Sequence, residues 1–228
     1  MTIDDYFGRW LKVIDQRELY KVLNTINSIY EERAVMPAYE DIFKAFQLCP
    51  YDELKVVFIG QDPYPQANVA TGILFGNKEG TTELSPSLEV VKEACIDYTL
   101  PHNHIDFDVT LESWARQGIL MLNAALTVEL NTPTSHTMIW RPFMTKLLKN
   151  LSIHESGIVY ALFGNLAQTF KPYINATYND IFEVKHPAYY ARNQESMPSE
   201  FFANISKTIE GKYGKPIKWY EENEVLFN

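Results

Sequence analysis

Cysteine is almost absent from this chain. Only Cys49 and Cys95 occur, at no metal-ligand spacing, which argues for reduced thiols in a cytosolic setting rather than a disulfide framework. No apolar run is long enough to span a membrane. The opening Met1-Thr2-Ile3-Asp4-Asp5 has neither the basic region nor the apolar core of a signal peptide. Positive charge is also scarce: 20 Lys and Arg stand against 29 Asp and Glu, a net charge of -9. Taken globally, that argues against a nucleic-acid binder, because phosphate neutralisation needs Lys and Arg. It leaves room for a protein that meets a few phosphates with backbone N–H groups and small hydroxyls at helix N-termini, and so binds weakly and releases readily. No Gly-rich loop follows any candidate strand, which disfavours a nucleotide-binding α/β protein. Linkers, low-complexity stretches and internal repeats are missing too, so residues 1–228 are expected to form one domain.

Aromatic residues are plentiful, with 14 Tyr and 13 Phe, enough for a large core or for a surface that stacks on flat rings. Four apolar runs each stop on a polar group. Val56-Val57-Phe58-Ile59 reaches Gly60-Gln61-Asp62-Pro63-Tyr64-Pro65, where two prolines fix the backbone around Tyr64. Gly118-Ile119-Leu120-Met121-Leu122 ends on Asn123 and continues as Ala124-Ala125-Leu126-Thr127-Val128. Gly157-Ile158-Val159-Tyr160-Ala161-Leu162-Phe163 ends on Gly164-Asn165, and Ile181-Phe182-Glu183-Val184 ends on Lys185-His186-Pro187. Runs of this kind read as strands buried on both faces.

Helical spacing covers 16–33, through Leu19, Val22, Leu23 and Ile26, and a shorter helix is expected over 39–48. These leading helices (within 1–50) are expected to pack on an α/β core spanning 55–211 and carry no evident chemistry. Ser85-Pro86-Ser87 opens a third helix, Thr110 caps a short one at Trp114, a long one follows Ser135-His136, another is expected over 166–174, and the last begins near Pro198. His102 and His104, with Asp106 and Asp108, read as a solvated loop rather than a metal site. Strands alternating with helices predict a three-layer α/β/α sandwich with a central four-stranded parallel sheet. Such a sheet brings the four strand ends to one edge, where ligands bind. An acid, an amide, a histidine and an aromatic there suit charge-separating chemistry on a flat heterocycle.

Five motifs, in order across residues 55 to 190, resemble those of the family 1 uracil-DNA glycosylases. Gly60-Gln61-Asp62-Pro63-Tyr64 resembles the water-activating motif, and Ser85-Pro86-Ser87-Leu88 the proline-rich phosphate loop. Gly118–Val128 resembles the uracil-reading strand, Ser135-His136 with Trp140 a further element, and His186-Pro187 the start of the DNA-intercalation loop. The resemblance implies hydrolysis of the N-glycosidic bond of uracil flipped out of DNA, without metal or cofactor. Asp62 would orient water beside the sugar cation, and a neutral His186 would donate to uracil O2. Asn123 would read the base edge, Phe75 would stack on the base, Tyr64 would exclude the thymine methyl group, and Gln61 would hold O2 through its backbone N–H. Ser85 and Ser87 would meet phosphates, although helix capping explains the same residues.

The chain departs from the family at the DNA-handling loops. Pro65-Gln66 replaces the usual His-Gly, with a Tyr-Pro also carried by the poxviral branch. Gly164-Asn165 replaces Gly-Ser, and Ala188-Tyr189-Tyr190-Ala191 replaces Ser-Pro-Leu-Ser. Gly164, Asn165 and Ala188 would therefore face DNA without the gripping serines. Tyr190 would replace the wedge leucine, with Arg192 beside it. The resemblance is to a divergent, viral- or phage-like member, expected as a monomer in the cytoplasm of its cell or host. Its expected partners are uracil-containing DNA, single- or double-stranded, with a proteinaceous inhibitor or replication partner as the protein candidates. Two readings stand beside it: a glycosylase for another modified pyrimidine, and a DNA-binding replication accessory subunit that keeps the fold.

Overall fold

The computed structural model describes residues 3–96 and 105–222; His102, His104 and the end of the tail lie outside them. In chain order the elements are α1 (Ile3–Phe7), α2 (Gln16–Glu32), β1 (Val35–Met36), α3 (Lys44–Leu48), β2 (Val56–Gly60), α4 (Pro86–Cys95), β3 (Ile105–Asp106), α5 (Glu112–Ala115) and β4 (Ile119–Asn123). After these come β5 (Val128–Glu129), α6 (Thr137–His154), β6 (Val159–Phe163), α7 (Gly164–Gln168), β7 (Asp180–Val184), α8 (Pro187–Asn193), α9 (Glu200–Tyr213) and β8 (Glu221–Glu222).

The main sheet runs β4-β2-β6-β7, and all three pairings are parallel. Every residue of β2, β4 and β6 is buried, as continuous apolar strands covered by helices on both faces require. β7 is the half-exposed edge. The other edge is partly covered where Leu74 N–H donates to Met121 O at 3.3 Å, which blunts an open strand. One aromatic cluster joins Phe58, Phe163, Phe202 and Trp219. A second joins Trp10, Phe46, Phe43 and Trp140. The leading helices therefore contribute core. Asp15 caps α2 by accepting from Glu18 N–H, and Leu19, Val22 and Ile26 form its buried face.

Local differences from the sequence expectation have simple causes. The helix expected over 39–48 is a 3₁₀ turn, Tyr39–Asp41, followed by α3. The helix expected over 166–174 stops at Gln168 and resumes as a 3₁₀ turn at Lys171–Tyr173, because Pro172 has no N–H to continue it. The cap before Trp114 is shared: Asp108 accepts from Ser113 N–H at 2.8 Å and Thr110 Oγ1 from Glu112 N–H at 3.2 Å. The two-residue ribbons β1–β5 and β3–β8 are too short to announce themselves by alternation.

Candidate active site

Parallel register sets Gly60 of β2 opposite Asn123 of β4, and the two chains stay together beyond the strands: Ala124 N–H donates to Gly60 O and Ala125 N–H to Gln61 O, both at 3.1 Å. Glycine is needed here. A Cβ at position 60 would lie 2.2 Å from Leu74 Cδ1 and 2.8 Å from Asn123 Oδ1. Asn123 is buried, and its Oδ1 has no hydrogen-bond partner among the described residues. An unpaired buried acceptor costs about 1–3 kcal/mol, and this one packs against Gly60 at the strand ends.

Asp62 follows the same strand. Its Oδ2 accepts from Thr134 N–H at 2.6 Å. Burial pushes its carboxyl above the ordinary carboxylate value, opposed by the Thr134 hydrogen bond and one from the Gln61 side chain. Tyr64 is tethered at its hydroxyl, which donates to Phe75 O at 3.1 Å and accepts from Ser85 Oγ at 2.6 Å; burial raises its pKa. Phe75 is left-handed, φ +63°, and buried. Its ring meets Phe163 and His186 edge-on at 5.1 and 5.5 Å.

His186 comes from the end of β7. It is the N-cap of α8, and its Nδ1 accepts from Ala188 N–H at 3.2 Å. That contact leaves the ring proton on Nε2. Burial first, then the nearby Arg192 charge, lowers its pKa to about 4, so the imidazole is neutral at neutral pH. Gly164 (φ +86°) packs beneath it: a Cβ there would lie 2.8 Å from His186 Cβ.

Gln61, Asp62, Tyr64, Phe75, Asn123 and His186 line one cavity of about 310 Å³. Ser87, Ala188 and Arg192 also line it. A groove of about 580 Å³ continues outward past Ser85, sharing Tyr64, Ser87, Ala188 and Arg192. The sequence matches the model of the uracil DNA glycosylase superfamily over residues 46–210. This chain belongs to that superfamily.

Among relatives named uracil-DNA glycosylase, one from Campylobacter lari is 37% identical over 198 residues, 85% of this chain and 83% of that protein. One from Fusobacterium nucleatum is 32% identical over 224 residues, 95% of this chain and 97% of that one. The crystal structure of mimivirus uracil-DNA glycosylase shares the fold, with a TM-score of 0.74 and 20% identity, over 95% of this chain and 91% of that one. A variant of the mimivirus protein in complex with UGI gives 0.78 and 22%, over 89% and 82%.

Several residues that the glycosylase motifs assigned to DNA sit elsewhere. Tyr190 is not a projecting wedge. Residues 187–193 form a helix, not a loop, and the i, i+3 spacing puts Pro187 and Tyr190 on its buried face. Tyr190 is 7% exposed and belongs to the core. Ser85 Oγ is engaged by Tyr64 and makes no cap bond, so it braces the pocket wall; Ser87 is buried. Gly164 is buried under His186 and Asn165 is exposed, and neither lines the cavity. Arg192 is exposed and lines both cavity and groove. The wall also includes Leu126, from the stretch that resembles the uracil-reading strand, and Pro133, which carried no signal of its own.

Tyr190→Ala is therefore expected to cost about 3 kcal/mol of stability by denaturant unfolding, as for other buried aromatic truncations. It should lower activity on single strands and duplexes alike; a selective loss on duplexes would restore the wedge role.

Proposed function

We propose that this glycosylase-superfamily chain hydrolyses the N-glycosidic bond of uracil in DNA, with the base held in the 310 Å³ cavity. The observation that carries the reading is the convergence of Asp62, Asn123 and His186 on that one cavity. The Asn123 amide oxygen accepts from uracil N3–H, and its N–H₂ donates to the neighbouring carbonyl. Cytosine has no proton on N3 and presents an amine where Asn123 offers its own, so buried groups stay unpaired and the base is rejected. Phe75 stacks on the base. Tyr64, fixed through Ser85 and the Phe75 carbonyl, fills the space beside C5, where thymine carries its methyl group.

Water attacks C1′ as the bond to N1 breaks and its electrons move into the uracil ring. Asp62 orients that water, accepts its proton as the C1′–O bond forms, and offsets the positive charge on the sugar; uracil leaves as the N1 anion and takes a proton from solvent. The Nε2–H of neutral His186 and the backbone N–H of Gln61 donate to O2 as it becomes negative. No step in this scheme needs a metal or a cofactor.

The acid limb of the rate follows from these groups. Asp62 must be ionised, and burial raises its pKa, so activity falls as pH drops through a midpoint above the ordinary carboxylate value. His186 stays neutral until pH nears about 4, so it adds nothing to the fall above that. His186 ring resonances followed by NMR should titrate near pH 4 and not near 6.5.

None of the large exposed apolar side chains among the described residues lines the cavity or the groove. Taking a base from a duplex costs unpairing and unstacking energy that a single strand does not impose, so single-stranded uracil is the better substrate. The test is incubation with single-stranded and duplex oligonucleotides carrying one uracil, in EDTA, followed by alkali. Strand breaks at the uracil position are expected, faster on the single strand. A protein that leaves both strands intact would be no glycosylase for uracil.

A further inference from the structure

The carboxylate of Asp62 is gripped by a peptide group from a distant part of the chain. Thr134 N–H reaches Asp62 Oδ2 at 2.6 Å. It can do so because the turn that carries it is unusual: Asn131 (φ +57°) and Thr134 (φ +66°) are both left-handed without being glycine. Such residues persist only where the surroundings over-determine them, and they gather at functional sites.

The surroundings here are explicit. Asn131 N–H donates to Pro65 O at 2.8 Å, tying the turn to the loop that follows Asp62. Leu130 N–H donates to Ala34 O at 2.9 Å. Glu129 N–H donates to Ser135 Oγ at 2.8 Å, closing the base of the turn. β5 pairs with β1, and Glu129 is bridged to Arg33 at 2.8 Å. A continuous path thus runs from the end of α2 through the β1–β5 ribbon to Asp62. The leading segment, which carries no evident chemistry in its sequence, braces the site.

We propose that the 131–134 turn is the positioning element of the general base: the Thr134 peptide N–H fixes the orientation of the half-buried Asp62 carboxylate, and the β1–β5 ribbon holds the turn in register. A hydrogen bond donated to the charged form also favours that form. The inference rests on the reading of Asp62 as the water-orienting group. The Gln61 side chain also donates to this carboxylate, and the polar and titratable groups that share its cavity are Tyr64, Gln66, Thr71, Ser87, Asn123, His186 and Arg192. Tyr64 is hydrogen-bonded to Phe75 and Ser85, and the Nε2–H of His186 is assigned to the base.

The test combines rate profiles with a direct titration of Asp62 by carboxyl ¹³C NMR, assigned with Asp62→Asn. Thr134→Pro removes the N–H and forbids a positive φ. Thr134→Asn keeps the N–H and tolerates the left-handed conformation. For Thr134→Pro the Asp62 midpoint should rise by about one unit or more, and kcat should fall about 100-fold with KM little changed. Thr134→Asn should match the wild type in both. If Thr134→Pro does not fold, an ester in place of the Thr134 peptide N–H deletes the donor alone and should give the same shift. A folded Thr134→Pro or ester protein with the wild-type midpoint and kcat would overturn the proposal. A wild-type protein that releases no uracil would instead overturn the reading on which it rests, and the activity assay alone reports that outcome.

Discussion

Asp62→Asn is expected to slow uracil release by roughly two to four orders of magnitude while leaving the protein no less stable. The two halves of that expectation come from the same burial. The Asp62 carboxyl titrates above its ordinary value because it is desolvated. The folded chain therefore binds a proton there more readily than the unfolded chain does. A group of this kind favours the folded state at low pH, and that contribution is lost as pH rises through the folded midpoint. At neutral pH the native protein holds an anion that its surroundings disfavour. Asparagine removes the anion and still offers an oxygen to Thr134 N–H. Chemistry loses the charge that faces the sugar cation, and folding loses nothing. Single-turnover rates alongside thermal unfolding check both halves. A variant within tenfold of the wild-type rate would remove Asp62 from the reaction. A lower melting temperature would mean that the carboxylate has a structural role beyond its bond to Thr134.

The second large effect is a change of base. In Asn123→Asp, burial at the end of β4 favours the protonated form of the new carboxyl. A carboxylic acid can donate to cytosine N3 and accept from its N4 amine, the reverse of the pattern that the amide offers uracil. Uracil release should fall, cytosine release should appear, and the ratio should move by about 10⁴, the range found when a buried polar reader is mismatched. Gly60, whose Cβ would intrude on Asn123 Oδ1, should remain unchanged in such a design. Unchanged uracil selectivity in Asn123→Asp would assign base reading to another residue.

These residues were legible in the sequence for a definite reason. Buried parallel strands are written as unbroken apolar runs, and Gly60-Gln61-Asp62, Asn123 and His186 stand where those runs stop. Parallel pairing then brings them to one edge whatever their separation along the chain. Other features left no such mark. The long-range donor to Asp62 is a peptide N–H, which every residue but proline possesses, so Thr134 could not be singled out by side-chain type. The left-handed turn that aims it contains no glycine to advertise it. Tyr190 was misplaced because the seven-residue helix α8 was hidden beneath a motif read as a loop; Pro187 at its first position was the available signal. Ser85 sits beside a helix start in the sequence, yet its hydroxyl is taken by Tyr64, which is 21 residues away.

The most direct measurement is the identity of the released base. Single-stranded oligonucleotides that differ only in one position, carrying uracil, thymine or cytosine there, are incubated with the protein in EDTA, and the free bases are separated by chromatography. Free uracil is predicted from the first, in amounts equal to the abasic sites formed, with none of the other bases from the rest. Release of thymine or cytosine at a comparable rate, or abasic sites without free uracil, would contradict the account of a pocket closed at C5 by Tyr64 and read at N3 by Asn123.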